Sequence, residues 1–266
     1  LKAEGRLSGL KTNGHIQFDS VYMDAPLAGT TLRMPDEYVR IEDNVIRFNN
    51  FNILAKGNTP LNVNGTVDMN RLSDPALDIR MSASNYKLVD SPRKRGNMLY
   101  GKMFVDFRSF IGGTVNNMKV RGNMTLLGNS NITYVMQDTP IESDKELDGL
   151  VEFVNFKDTT NTAPPVEEEI DLGNTDINLT LNIEEGARIN ADFDENRNSY
   201  LMLQGGGNLH MTYTDETGIN VTGTYSMSDG QLKYALPVIP LKTFNIVDGS
   251  KITWTGNLFN PEVDIT

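Results

Sequence analysis

The sequence predicts an all-β fold, and three observations carry that prediction. Apolar residues recur at every second position through most of the chain, Gly, Asp and Asn clusters punctuate the runs, and a single stretch shows helical spacing. The alternation is plainest late in the chain, where Ile177, Leu179, Leu181 and Ile183 are separated by Asn178, Thr180 and Asn182. Side chains alternate across a strand, so such a run puts its apolar set on one face.

Taken in order, the first runs are Val63, Val67 and Met69, then Leu77, Ile79, Met81 and Ala83, then Met118, Val120, Met124 and Leu126. The later ones are Leu201 with Leu203, then Leu209, Met211 and Tyr213, then Ile219, Val221, Tyr225 and Met227. Leu232 with Tyr234, Phe244 with Ile246, Ile252 with Trp254, and Val263 with Ile265 close the series. Each run is bounded by turn residues, and their number predicts about fifteen short strands, the spacing of a sandwich, a barrel or a solenoid-like array. Strands about 4.8 Å apart would stack to about 70 Å. The opposite face is rich in Asn and Thr rather than Lys and Glu; Asn occurs 29 times.

One segment departs from the pattern. Ser143 stands three residues before Glu146 as in a capping box, and Leu147, Leu150, Val151 and Val154 follow at helical spacing, which predicts one short helix near 144–155. The acidic, Pro-containing stretch 157–173 then reads as a linker. These features divide the chain into 1–137, a helix-and-linker segment 138–174, and 175–266. Phe51–Ile79 and Phe244–Ile265 both run Phe-Asn-Ile, strand, Gly, turn, Pro and a strand ending in Asp-Ile, which predicts a repeated strand-turn-strand unit.

Composition narrows the function. With 24 Lys plus Arg against 35 Asp plus Glu, the formal charge of -11 disfavours nucleic acid and anionic membrane surfaces as partners. The absence of cysteine excludes disulfides and thiolate metal sites. No window approaches 18 consecutive apolar residues, and the first residue is Leu1, so the chain reads as a piece of something longer. Catalytic groupings are not apparent. His15 and His210 are far apart, and His210, between Leu209 and Met211, is expected to point away from the apolar face. Gly205, Gly206 and Gly207 lack the spacing of a phosphate loop and predict a bulge or tight turn before a strand at 208–213. Asp192, Asp194 and Glu195 lack the pattern of a calcium loop, no G-x-S-x-G elbow occurs, and Arg93, Lys94 and Arg95 read as a solvated basic turn. Neither a metal nor a cofactor is predicted.

The closing stretch carries a resemblance. "GTYSMSDGQLKY" and "FNIVDGSKITWTGNLFNPEVDI" are similar to the strand-turn-strand and Asn-Pro-x-x-Asp-Ile motifs of the C-terminal region of TamB, the AsmA-like envelope proteins, in their Bacteroidetes-type form. The likeness is dense over 177–266 and looser over 1–137, and "ELDGLVEFVNFKD" resembles the family's midsection. It implies an elongated sheet folded lengthwise, a β-taco, whose open apolar groove carries phospholipid acyl chains between inner and outer membranes and supports outer-membrane biogenesis. It also implies a periplasmic location in a Gram-negative bacterium, a partner barrel of the BamA or TamA type, an inner-membrane anchor outside these residues, and no enzymatic activity. The apolar residues named from Ile177 to Ile265 would line the groove. From the residues alone, a closed β-sandwich, a carbohydrate-active β-helix enzyme and a structural adhesin module stay open.

Overall fold

The longest strands of this protein span 13–17 residues, and several of them are interrupted at mid-length. The computed structural model describes residues 2–4, 11–25, 30–94, 98–136, 174–194, 196–234, 242–258 and 260–266. It contains β1 (Lys2–Glu4), β2 (Lys11–Ala25), β3 (Thr30–Glu42), β4 (Val45–Leu54), β5 (Pro60–Asp68), β6 (Ala76–Ser91), β7 (Leu99–Thr114) and β8 (Asn117–Leu126). These are followed by β9 (Asn131–Val135), β10 (Asp176–Ile183), β11 (Arg188–Asp192), β12 (Tyr200–Thr214), β13 (Gly218–Tyr234), β14 (Lys242–Asn257) and β15 (Glu262–Asp264). The described residues contain no helix. The helix expected near 144–155 and the linker to 173 lie outside them, as do Arg95 and Glu195.

The fifteen strands among the described residues belong to one sheet, but they make thirteen courses across it. Hydrogen bonds link β7, β8, β10, β12, β11 and β9 in a ring, yet this ring encloses no barrel. β8 and β9 lie end to end along the same edge of β7, whose residues 105–114 pair with β8 and 99–102 with β9. In the same way β10 and β11 form one course along β12, and the two composite courses run parallel to each other. Thirteen courses at about 4.8 Å stack to about 58 Å rather than the 70 Å expected from fifteen.

The bend falls at matching places along successive courses and creases the sheet lengthwise. In β2 the ladder to β3 skips Ser20, which has φ 52°, opposite Pro35, which has no N–H to give. β4 bulges between Phe48 and Phe51 at Asn50 (φ 51°), and β6 between Ala83 and Tyr86 at Asn85 (φ 47°). Residues 127–130 and 184–187 interrupt the composite courses, and β12, β13 and β14 break register at Gln204/Gly205, Met227/Asp229 and Val247/Ser250. Backbone groups freed by these breaks must find other partners. Side chains supply many of them: Asn50 N–H donates to Asn64 Oδ1 (2.8 Å), Asn85 N–H to Asp106 Oδ1 (2.7 Å), Phe104 N–H to Ser130 Oγ (3.0 Å) and Gly128 N–H to Glu184 Oε2 (2.6 Å).

The expected number of about fifteen strands is met among the described residues, but seven of them are 13–17 residues long rather than short, for this reason. Gly, Asn and Asp inside long strands mark the crease, whereas in the sequence alone they read as strand ends. Gly205 and Gly206 sit mid-strand in β12, where a Cβ on Gly205 would meet Ser226 O at 2.0 Å and one on Gly206 would meet Ile183 O at 2.7 Å. The two similar Phe-Asn-Ile stretches also differ in course. After Phe51 the chain reverses, pairing Leu54 with Pro60, but after Phe244 it continues through the crease within β14.

The crease divides the sheet into two arms. The long arm ends at the turns 42–45, 68–76, 114–117 and 214–218; the short arm ends at Ser91 of β6, Leu99 of β7, Asp192 of β11 and Tyr200 of β12. A buried row crosses the courses beside the crease: Tyr86, Val105, Leu126, Ile183, Leu203, Tyr225, Met227 and Ile246. Toward β2, a second cluster of Met34, Val39, Phe51 and Val63 packs with Phe18 and Phe48, whose rings meet Phe51 edge-on at 5.1 and 5.6 Å.

Candidate functional site: the apolar face of the folded sheet

Register assembles the alternating residues into rows that cross the strands. On the long arm, Val120, Ile177, Tyr213 and Ile219 form one row, and Leu179, Met211 and Val221 the next. Met124, Leu181, Leu209, Gly223 and Trp254 follow, then Leu126, Ile183, Gly207, Tyr225, Ile252 and Val263. On the short arm, Ile132, Ile189, Leu203, Gly230 and Ile246 make a row, and Tyr134, Ala191, Leu201, Leu232 and Phe244 another. The register shift at Met227/Asp229 inserts one residue into β13, which keeps Leu232 and Tyr234 on the same face as Met227. Twenty of the apolar residues named from Ile177 to Val263 therefore share a face; Ile265 lies beyond the end of β15.

Burial along this face is graded. Ile183, Leu203, Tyr213, Val221, Tyr225, Met227 and Ile246 are buried. Leu179, Leu181, Leu201, Leu209, Met211, Ile219, Leu232, Tyr234, Ile252 and Trp254 are half-buried, and Phe244, Val263 and Ile265 are exposed. The first half of the chain contributes Phe48, Phe51, Val63, Ile79, Met81, Tyr86 and Val105 to the same face. Sequence reasoning does not place them there, although the period-two runs around Val63 and Ile79 are the available signal.

Polar atoms on the face are few and hold no reactive pair. The hydroxyls of Tyr86 and Tyr225 are buried without a hydrogen-bond partner, and burial pushes the pKa of each up to about 12. Ser250 Oγ is engaged by Thr266, whose N–H donates to it at 3.0 Å. Trp254 Nε1–H donates to Leu258 O at 3.0 Å. His15 and His210 are exposed, and His210, paired in register with Thr180 and Thr222, is on the polar face.

The acidic residues near 192 serve the backbone and arginines. Asp192 is fully buried, accepts the Tyr100 hydroxyl at 2.7 Å, and lies 3.3 Å from Arg197 Nε and 3.8 Å from Arg93 Nε. Arg93 thus packs against a carboxylate and over the Tyr100 ring instead of pointing freely into solvent. Asp194 accepts N–H groups of Ser199, Asn198 and Asn196. Burial opposes its charge, but those N–H donors hold its carboxyl below the ordinary value. Among the described residues, no group of three or more His, Asp or Glu is placed to hold a metal ion, and no helix is long and apolar enough to cross a membrane.

The family model of the TamB C-terminal domain matches residues 49–266, from β4 to the end of the chain. The chain belongs to the TamB family. TamB proteins are non-enzymatic transport and assembly proteins of the cell envelope that work with outer-membrane partners, and this chain is a TamB-like envelope protein. No curated protein and no solved structure matches it. The matched region contains the crease from Asn50 onward and the rows from Val120 to Val263, while β1, β2 and β3 precede it.

Proposed function

We propose that the apolar face is a track along which phospholipid acyl chains pass between the inner and outer membranes, in the periplasm of a Gram-negative bacterium. A BamA- or TamA-type barrel would receive the lipid at the outer membrane, and an inner-membrane anchor outside these residues would hold the other end. The observation that supports this reading is the half-burial of the rows through Leu179, Leu181, Leu209 and Met211, which a sealed sandwich core would bury completely. Each methylene leaving water contributes about 0.8 kcal/mol, so a sixteen-carbon chain held on such rows avoids about 12 kcal/mol of aqueous exposure. No reactive residue is needed, because the track only lowers the free energy of an apolar chain in transit.

The test pairs two neighbouring substitutions in β10. Leu179→Arg puts a guanidinium on the apolar face and Asn178→Arg puts it on the other. Both variants should stay folded, since an arginine on a half-buried row can reach water. Leu179→Arg should lose binding of a fluorescent phospholipid, and Asn178→Arg should retain it. Outright unfolding of Leu179→Arg would mean a sealed core, the closed-sandwich alternative. Equal lipid binding by two folded variants would end the track hypothesis.

A further inference from the structure

The sheet treats its tyrosines in two ways. On the polar face, the Tyr100 hydroxyl donates to Asp192 at 2.7 Å and that of Tyr200 to Gln231 at 2.6 Å. On the apolar face, Tyr86 and Tyr225 are each 3% exposed and their hydroxyls have no partner. A buried donor left unpaired opposes folding, and phenylalanine would fill nearly the same volume without that penalty, so a hydroxyl kept there points to a partner that arrives with a ligand. The surroundings of the two differ. Tyr86 stands opposite Val105, whereas Tyr225 stands opposite Gly207 and has Gly223 two residues before it on the same face. Neither glycine can take a side chain: a Cβ on Gly207 would meet Thr224 O at 2.2 Å, and one on Gly223 would meet Asn208 O at 2.2 Å. Both glycines stay partly exposed. The apolar face therefore has a fixed notch beside Tyr225, bordered in register by the half-buried Leu209, Ile252 and Trp254.

We propose, resting on the reading of this face as a lipid track, that the notch is a stopping point where the Tyr225 hydroxyl donates a hydrogen bond to the ester carbonyl of a bound phospholipid. An ester carbonyl accepts and cannot donate, which complements a phenol with a proton to give. It is uncharged, so bringing it onto an apolar floor is far less costly than bringing in a phosphate. It also stands where the acyl chain joins glycerol. One such bond therefore fixes how far along the strands the chain lies, while the head group stays in water. Leu209 and Ile252 are half-buried, so they can turn toward solvent and uncover the hydroxyl without disturbing the ladder. A chain joined by an ether has no carbonyl and gains nothing at this position.

The experiment uses two phosphatidylcholines of equal, short chain length, one with ester-linked and one with ether-linked chains. Each is titrated into the 266-residue protein below the concentration at which the lipid forms micelles. The parent should bind the ester lipid about fivefold more tightly than the ether lipid. On binding, the infrared band of an isotopically labelled ester carbonyl should move to lower frequency. Tyr225→Phe keeps the ring and should fold as the parent does, bind both lipids with the parent's affinity for the ether lipid, and lose the band shift. Thr222→Val, on the exposed polar face of the same strand, should behave as the parent. Equal binding of the two lipids by the parent, or a preference or band shift that survives in Tyr225→Phe, would overturn the stopping point and leave the track standing. Binding of neither lipid would overturn both.

Discussion

On the long arm, Asn123, Thr180, His210 and Thr222 stand exposed on the polar face, with neighbouring Asn and Thr side chains about them. On the short arm, Thr133, Asn190 and Asp192 occupy that same face and are buried. Strand alternation is identical in the two places; what differs is the partners that the side chains find. Between β11 and β12, Phe193 N–H donates to Ser199 O, and Arg93, just past the end of β6, lies 3.8 Å from Asp192. Asn190 Nδ2 then donates to Ile132 O at 3.0 Å and to Asn131 Oδ1 at 2.9 Å, and Tyr100 donates to Asp192. A polar face can thus be solvated or built into an interior network, and alternation alone does not distinguish them.

The largest effect that would break this comparison is expected at Asp192. Asp192→Ala removes the acceptor of the Tyr100 hydroxyl and the carboxylate against which Arg93 and Arg197 pack, and should lower stability by about 2–3 kcal/mol. The loss stays below that of a fully buried pair because Arg93 and Arg197 are 44% and 40% exposed and can turn to water. Thr222→Ala, on the open polar face, should change stability by no more than about 0.5 kcal/mol. Denaturant midpoints for the two variants decide it: equal, small losses would mean the short arm's polar face is as solvated as the long arm's.

Particular residues show which parts of this architecture are legible in the sequence. Leu209, Met211 and Tyr213 announce a strand and its apolar face because period two is a local property. Asp192 does not announce its burial, since two of its three partners, Arg93 and Tyr100, are more than ninety residues away in sequence. Asp229 and Gly249 are equally opaque, whereas Gly205–Gly207 announce a bulge or turn, and the bulge is what β12 shows. A crease and a turn recruit the same residues, those that tolerate unusual backbone angles or interrupt a ladder. Only the partner strand, continuing on both sides of the interruption, reveals a crease. The same ambiguity explains why all of the fifteen expected strands read as short, where seven of the fifteen described span 13–17 residues.

The crease joins the two arms, so its glycines sharpen the comparison at the next scale. Gly205→Ala would drive a Cβ to 2.0 Å from Ser226 O, a collision with backbone that no rotamer relieves. Stability should fall by about 2 kcal/mol, with the arms displaced relative to each other. Gly249 has φ 95°, but a Cβ there would meet nothing within 4 Å, so Gly249→Ala encounters backbone strain alone, about 1 kcal/mol. Thermal unfolding should rank Gly205→Ala below Gly249→Ala; the reverse order would mean that strain rather than crowding governs the crease.

The smallest effect concerns hydroxyls on the apolar floor, which contrast with the satisfied network on the short arm's polar face. Tyr225 is 3% exposed, and its hydroxyl finds no partner. Removing a buried, unpartnered hydroxyl relieves its desolvation penalty, so Tyr225→Phe should stabilise the fold by about 1 kcal/mol at neutral pH. The ionisation of the phenol gives an independent readout. Burial raises the pKa of Tyr225 from 10.0 to about 12, and does the same for Tyr86. Folding therefore favours the protonated phenol, and this contribution is full below pH 10 and is lost as pH rises from 10 toward 12. Stability of the parent should decline across that window, and Tyr225→Phe should decline less steeply. If the substitution destabilises at neutral pH and leaves the alkaline slope unchanged, the Tyr225 hydroxyl is hydrogen-bonded in solution and the apolar floor is wetter than its packing indicates.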